Sequence, residues 1–243
     1  MTTNPSAADT TRVLFLHHSV GRYILSRGGL RSLLASQLPS AELWDHDYNK
    51  FGLSDSDGNP CGRSFPMPDD DTDPPGLLTF LGGLDAGVRD YAHEVLGFDV
   101  LVMKSCYPNN SVGKADQHHR LYETYREMHA IAERLPMQVV LATTPPLAPE
   151  RTNATQRRYA RETATWLNEH WTGPNTRVAG VFEALAAPRG RFAGALDWSA
   201  RRPWPMDSHP GQRGCRRAAE VVAEAIVAAA AARWETPRGK GST

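Results

Sequence analysis

The chain has few cysteines, no net charge and no long hydrophobic run, and each shortage removes a class of protein. Its three cysteines, Cys61, Cys106 and Cys215, are an odd number with no Cys-x-x-Cys pair. That argues against a disulfide framework or a structural zinc site and leads us to expect a reducing cytoplasm. Acidic and basic residues balance at 27 each, so neither a nucleic-acid binder nor a membrane-surface protein is indicated. The longest apolar stretch, residues 223–232, is alanine-rich, interrupted by Glu224 and short for a membrane span. The first residues lack a basic segment followed by an apolar one, so no signal peptide is expected. A soluble globular protein remains, and its Arg- and Ala-rich composition is compatible with a high-GC bacterial source.

The 243 residues are enough for one sizeable α/β domain, and no break in composition forces a second. We expect a disordered leader over residues 1–10, a single domain over 11–235 and a frayed tail over 236–243. Residues 13–16, 41–44, 99–104, 138–143 and 177–182 read as strands, and several of them are short runs of Val, Ile and Leu of the kind covered on both faces. Between them lie helical stripes. Leu77, Leu81, Leu84, Val88, Tyr91 and Val95 form one, with Gly97 as its expected cap. Leu121, Tyr125, Met128, Ala132 and Leu135 form a second before Pro136. A third, after Asn153 or Thr152 as N-cap, covers 153–171, and the last carries Ala218, Val221, Val222, Ala225, Ile226 and Ala229. This alternation predicts a three-layer α/β/α sandwich around a central, mainly parallel five-stranded sheet. Residues 49–76 show no period and are expected to be a functional or mobile loop. Their acidic DDDTD reads as solvated charge rather than a cation site.

In an open parallel sheet, ligands bind beyond the carboxyl ends of the strands. Five polar clusters fall at such ends or before the last helix: His17-His18-Ser19; Asp45 to Asn49, with Gly52 beyond; Ser105 to Asn110; Thr143-Thr144; and Asp207 with His209. Together they supply the parts of acyl transfer. A serine hydroxyl needs a base, and His209 carries the side chain most often used for that task. Asp207 would orient the imidazole and stabilise its charged form. The Ser19 backbone N–H, a glycine N–H at Gly52 and the Asn109 side chain stand where oxyanion donors are needed.

The chain order Ser, Gly, Asn, Asp, His resembles that of the SGNH hydrolases, the GDSL-type esterases and lipases. The matching segments are HHSVG at 17–21, NKFGLS at 49–54, KSCYPNN at 104–110 and DSHPG at 207–211. The resemblance runs from about residue 12 to 235. It implies a flavodoxin-like fold and attack by Ser19 on an ester or related acyl group, with catalytic Ser19, His209 and Asp207 and an oxyanion hole of Ser19, Gly52 and Asn109. The departures are specific. His17-His18 stand in place of the family's Gly-Asp, Cys106 stands where its third-block glycine would be, and Asp207 and His209 are one residue closer than usual.

Several residues keep more than one reading. Asn110 competes with Asn109 for the oxyanion role. His18 either tunes the serine, contacts substrate or is structural, and with Asn49, Cys106, Tyr107 and Asn110 it completes the candidate substrate-binding set. Cys106 is a rival nucleophile or a buried packing residue. Asp45, His46 and Asp47 with His17 and His18 are a metal alternative that no helical spacing supports. His118 and His119, at a helix start, are expected to face solvent. Trp44, Trp198 and Trp204 either line a pocket or pack in the core. We therefore expect a hydrolase of a small-molecule acyl substrate without cofactor or metal, nucleic-acid partner or membrane. An acyltransferase using the same acyl-enzyme, and a binding protein on a hydrolase scaffold, are the alternatives.

Overall fold

The structure, a computed structural model, describes residues 10–47, 51–65, 73–204 and 206–235, apart from the side chains of residues 107, 108, 234 and 235. The expected tail and residues 1–9 of the expected leader lie outside them, as do Asn49 and most of the acidic run.

The first strand, β1 (Thr11–His17), holds Val13, Leu14, Phe15 and Leu16 in succession, all wholly buried. A strand can be apolar on both pleat faces only where both are covered, and here they are. Val13 and Phe15 belong to one core, whereas Leu14 and Leu16 belong to the other. Beside β1 run β2 (Ala41–Asp47) and β4 (Val100–Lys104), both parallel to it, followed outward by β5 (Gln138–Ala142) and β6 (Thr176–Ala179). A short antiparallel strand, β3 (Gly52–Ser54), edges β2, giving the order β3-β2-β1-β4-β5-β6. Among the described residues the sheet thus has six strands, not the five expected. Three residues in a Gly-, Ser- and Asp-rich segment carry no alternation from which to read a strand.

The first core packs α1 (Ser19–Ser26), α2 (Leu30–Gln37), α7 (Val181–Leu185) and α8 (Gln212–Glu235) on one face of the sheet. Alanines on the buried side of α8 let it lie close across β4, β5 and β6. The opposite face carries α3 (Pro74–Asp85), α4 (Ala92–Val95), α5 (Ala115–Ala132) and α6 (Ala154–His170). Asn153 caps α6 in a reciprocal pair with Gln156, as its residue type predicts.

The continuous helix expected over the Leu77–Val95 stripe is instead α3 and α4 in sequence. Val88 N–H donates to Gly83 O and Gly87 N–H to Leu84 O, with Gly87 at φ +69°, the pattern of a left-handed helix stop. The stripe survives the break because Tyr91 folds back onto Phe80, but Val88 is left on the surface. His118 is also corrected. It is buried between α5 and α6, its Nε2 3.1 Å from Thr163 Oγ1 and its ring stacked on Tyr159, whereas His119 does face solvent. Asp73, the last of the acidic run, caps α3 by accepting the Gly76 N–H. Among the described residues, no helix is long and apolar enough to cross a membrane.

Candidate active site

The strand order reverses at β1, whose chain neighbours lie on one side and β4 on the other. That reversal opens a crevice at the carboxyl ends of β1 and β4. Into it the chain turns from β1 straight to α1, with His18 the single residue between them. The turn demands a glycine at position 21. A Cβ on Gly21 would lie 2.2 Å from the Cβ of His17, so the first turn of α1 sits directly on the strand end. Ser19 is thereby held as the first residue of the helix, where backbone N–H groups are left without helical partners.

His209 reaches the serine from the other end of the chain. Its Nε2 is 3.1 Å from Ser19 Oγ, and its Nδ1 is 2.7 Å from Asp207 Oδ1. The shortened spacing is accommodated by a local turn: Asp207 Oδ1 also accepts the His209 backbone N–H at 2.9 Å. The loop is pinned by Ser208, buried, whose Oγ accepts the Ala148 N–H. Partial burial works against ionisation of Asp207. The backbone and ring hydrogen bonds of His209, with help from Arg202, outweigh it and hold the carboxyl below its usual range. The ionised carboxylate in turn fixes the proton of His209 on Nδ1 and makes Nε2 the acceptor.

Two residues of this surround went unnoticed in the sequence. Tyr23, one helical turn after Ser19, sets its ring edge-on to His209 with centroids 5.3 Å apart. Arg202 bonds Asp207 Oδ2 at 3.1 Å and lies over Tyr23. The i, i+4 spacing from Ser19 is a signal for Tyr23 once α1 is known to start at the serine. Arg202 has no such signal, because it lies in an irregular segment. Lys104, at the end of β4, is also wholly buried. Burial pushes its ammonium pKa down, offset only in part by the neighbouring Cys106.

The remaining candidates separate clearly. His18 Nδ1 is 3.2 Å from Ser19 Oγ and 3.9 Å from Cys106 Sγ, and Cys106 is buried. Asn110 is buried and donates from Nδ2 to Thr144 O and Pro145 O, which ties the loop after β4 to the loop after β5. Asn109, in the same 3₁₀ turn, is half-buried and makes no side-chain hydrogen bond among the described residues. Tyr107 shares that turn, but its side chain lies outside the described part. Gly52 has φ +66° and pairs with Asp47 across β3 and β2. Among the described residues, no hydrogen bond joins it to Ser19 or His209. Trp44 packs edge-on to Phe98 beneath Arg12. Trp198 and Trp204 are exposed, and Trp198 lines a cavity of about 320 Å³ with Glu150, Arg201, Arg202 and Pro203.

The His and Asp residues on β1 and β2 hold the strand ends together. His17 Nε2 is 2.8 Å from Asp45 Oδ2, Arg31 pairs with Asp45 Oδ1, and Arg22 pairs with Asp47 at 2.7 Å. Among the described residues, no cluster of three or more His, Cys, Asp or Glu is arranged to hold a metal. His46 is buried, stacked on Phe65, and accepts the Phe65 N–H at Nε2. Burial first, then the neighbouring His17, pushes its pKa down from 6.5 to about 4, although Asp47 and Asp45 pull the other way. Between those values the unfolded chain holds the extra proton, so stability is full above about pH 6.5 and is lost as pH falls toward 4. The loss amounts to about 3 kcal/mol. His46→Asn is expected to flatten that slope, read from urea unfolding at pH 7, 5.5 and 4.5. His118, also lowered by burial, adds a slope of the same sign in both proteins. Parallel pH profiles for the two proteins would refute the assignment to His46.

No family model matches the chain, and no curated protein matches it. Solved structures do. A lipase, Lip_vut3, from a goat rumen metagenome aligns with TM-score 0.54 at 13% identity, over 89% of this chain and 97% of that one. A candidate acylhydrolase from Bacteroides fragilis aligns with TM-score 0.51 at 15% identity, over 91% of this chain and 86% of that one. The chain therefore shares with these two structures the three-layer α/β/α architecture that the sequence predicts.

Proposed function

We propose that the chain is a serine hydrolase that cleaves the ester, or a related acyl bond, of a small molecule through an acyl-enzyme on Ser19. The observation that carries this reading is the unbroken line from Ser19 Oγ through His209 to Asp207, at 3.1 and 2.7 Å. It lies at the sheet's topological switch point. The names of the two structural neighbours, a lipase and a candidate acylhydrolase, favour the same chemistry.

In this reading His209 Nε2 takes the Ser19 proton as Oγ attacks the carbonyl carbon, and the carbonyl π pair moves to its oxygen. Imidazolium forms beside ionised Asp207, which stabilises it. The oxyanion is met by the Ser19 N–H at the start of α1 and by the amide of Asn109, whose neighbour Asn110 is already committed to the loop after β5. We keep the Gly52 N–H as the third donor. His209 then protonates the leaving group, and water activated by the same imidazole releases the acyl group from Ser19. The cavity beside Trp198 adjoins Asp207 through Arg202 and would receive part of the substrate. With Cys61, Cys106 and Cys215 all free thiols, we place the protein in a reducing cytoplasm.

Pre-steady-state hydrolysis of p-nitrophenyl acetate tests the reading. An acyl-enzyme predicts a burst of nitrophenol equal to the enzyme concentration, absent in Ser19→Ala. Turnover in Ser19→Ala at the wild-type rate would sink it.

A further inference from the structure

Ser19 Oγ stands between two imidazoles, His209 Nε2 at 3.1 Å and His18 Nδ1 at 3.2 Å. A serine hydroxyl has one hydrogen to give and two lone pairs with which to accept. Asp207 settles the first contact, because the proton it holds on His209 Nδ1 leaves Nε2 as an acceptor. The serine's hydrogen goes there. For the second contact to be a hydrogen bond, His18 Nδ1 must carry a proton and donate it. The same nitrogen lies 3.9 Å from Cys106 Sγ, a soft second acceptor beside the serine.

The position of His18 supports a dedicated role. It is the N-cap of α1, where a Ser, Asp or Asn would ordinarily accept a helix N–H, yet its side chain makes no capping bond. A local rule is broken at the residue before the nucleophile, and what the ring does instead is contact the reacting oxygen.

We propose that His18 is a catalytic residue of the serine reaction, an imidazole whose Nδ1–H donates to Ser19 Oγ as charge develops there. The proposal rests on the serine-hydrolase reading. No proton leaves His18. In acylation, the Ser19 proton passes to His209 Nε2 while Oγ, richer in charge, draws a stronger bond from His18. Once Oγ is an ester oxygen, that bond weakens. It strengthens again in deacylation, as the C–Oγ bond breaks and His209 returns the proton to Oγ. A donor that binds both transition states better than the ground states raises kcat and leaves KM alone.

The test compares wild type, His18→Ala and His18→Asn with p-nitrophenyl acetate and with a fluorophosphonate that labels the nucleophile. Asparagine can place an amide N–H close to where Nδ1–H stood. We expect His18→Ala to lose about 10- to 100-fold in kcat and in labelling rate at unchanged KM, and His18→Asn to recover most of it. Equal rates in all three, or equal losses in both variants, would overturn the donor role. A measurement on the wild type does not depend on how the variants fold. The ¹⁵N shift of His18 Nδ1 should be that of a protonated, pyrrole-type nitrogen, and a pyridine-type shift would overturn the proposal. If wild-type Ser19 resists the fluorophosphonate, the serine reading itself falls. If it labels and the His18 variants match it, only this inference does.

Discussion

Replacing Ser19 with alanine is expected to lower kcat on a short acyl ester by at least about 10⁴-fold, to the residual level supplied by binding and oxyanion donors alone. The fold should survive. Ser19 is the first residue of α1, its backbone is already helical, and the hydroxyl bonds only to site histidines among the contacts described. Alanine is the best helix former, so the unfolding midpoint should stay at the wild-type value while activity disappears. A loss below about 10-fold, with the fold intact, would mean that another group performs the attack. Cys106 would be the first suspect, since its sulfur lies beside His18.

Asp207→Asn is expected to cost about 10³- to 10⁴-fold in kcat, with little change in KM. The carboxylate accepts two N–H groups of His209, backbone and ring, on one oxygen, and an Arg202 N–H on the other. An amide cannot serve all three. If its oxygen keeps the backbone and ring contacts, its NH₂ faces the Arg202 guanidinium. If it turns over, its NH₂ faces Nδ1, so the ring must carry its proton on Nε2. In that tautomer His209 can no longer accept the serine proton. The partner that stabilises the imidazolium is lost in either case. Asp207→Ala should fall as far, whereas a variant within about 10-fold of wild type would reduce the site to a Ser-His dyad.

How far the sequence exposes this site depends on where each residue lies. Ser19, His18 and Cys106 are legible because they follow apolar runs that can only be strands buried on both faces. Residues at the ends of such strands converge whatever the loops do. Asp207 and His209 are legible as a pair before a helix, but the short spacing is intelligible only in three dimensions, where one oxygen of Asp207 serves both N–H groups of His209. The sequence favours Asn109 over Asn110 only because Asn109 lies nearer the strand end. The difference is one of burial and hydrogen-bond commitment, and Asn110 is engaged by two carbonyls about 35 residues away in the chain. Arg202 and β3 were beyond reach because irregular and three-residue segments carry no period. Val88 and His118 show the converse error. A clean 3–4 stripe does not reveal that Gly87 ends the helix midway, and a polar residue at a helix start does not reveal that a second helix covers it.

The most direct measurement of the central claim is the site at which an active-site-directed organophosphonate attaches, read by peptide mass spectrometry. The account predicts a single label on Ser19, formed in step with the loss of esterase activity and slowed severely in Asp207→Asn. A label on Cys106, or complete inactivation with Ser19 unmodified, would contradict it.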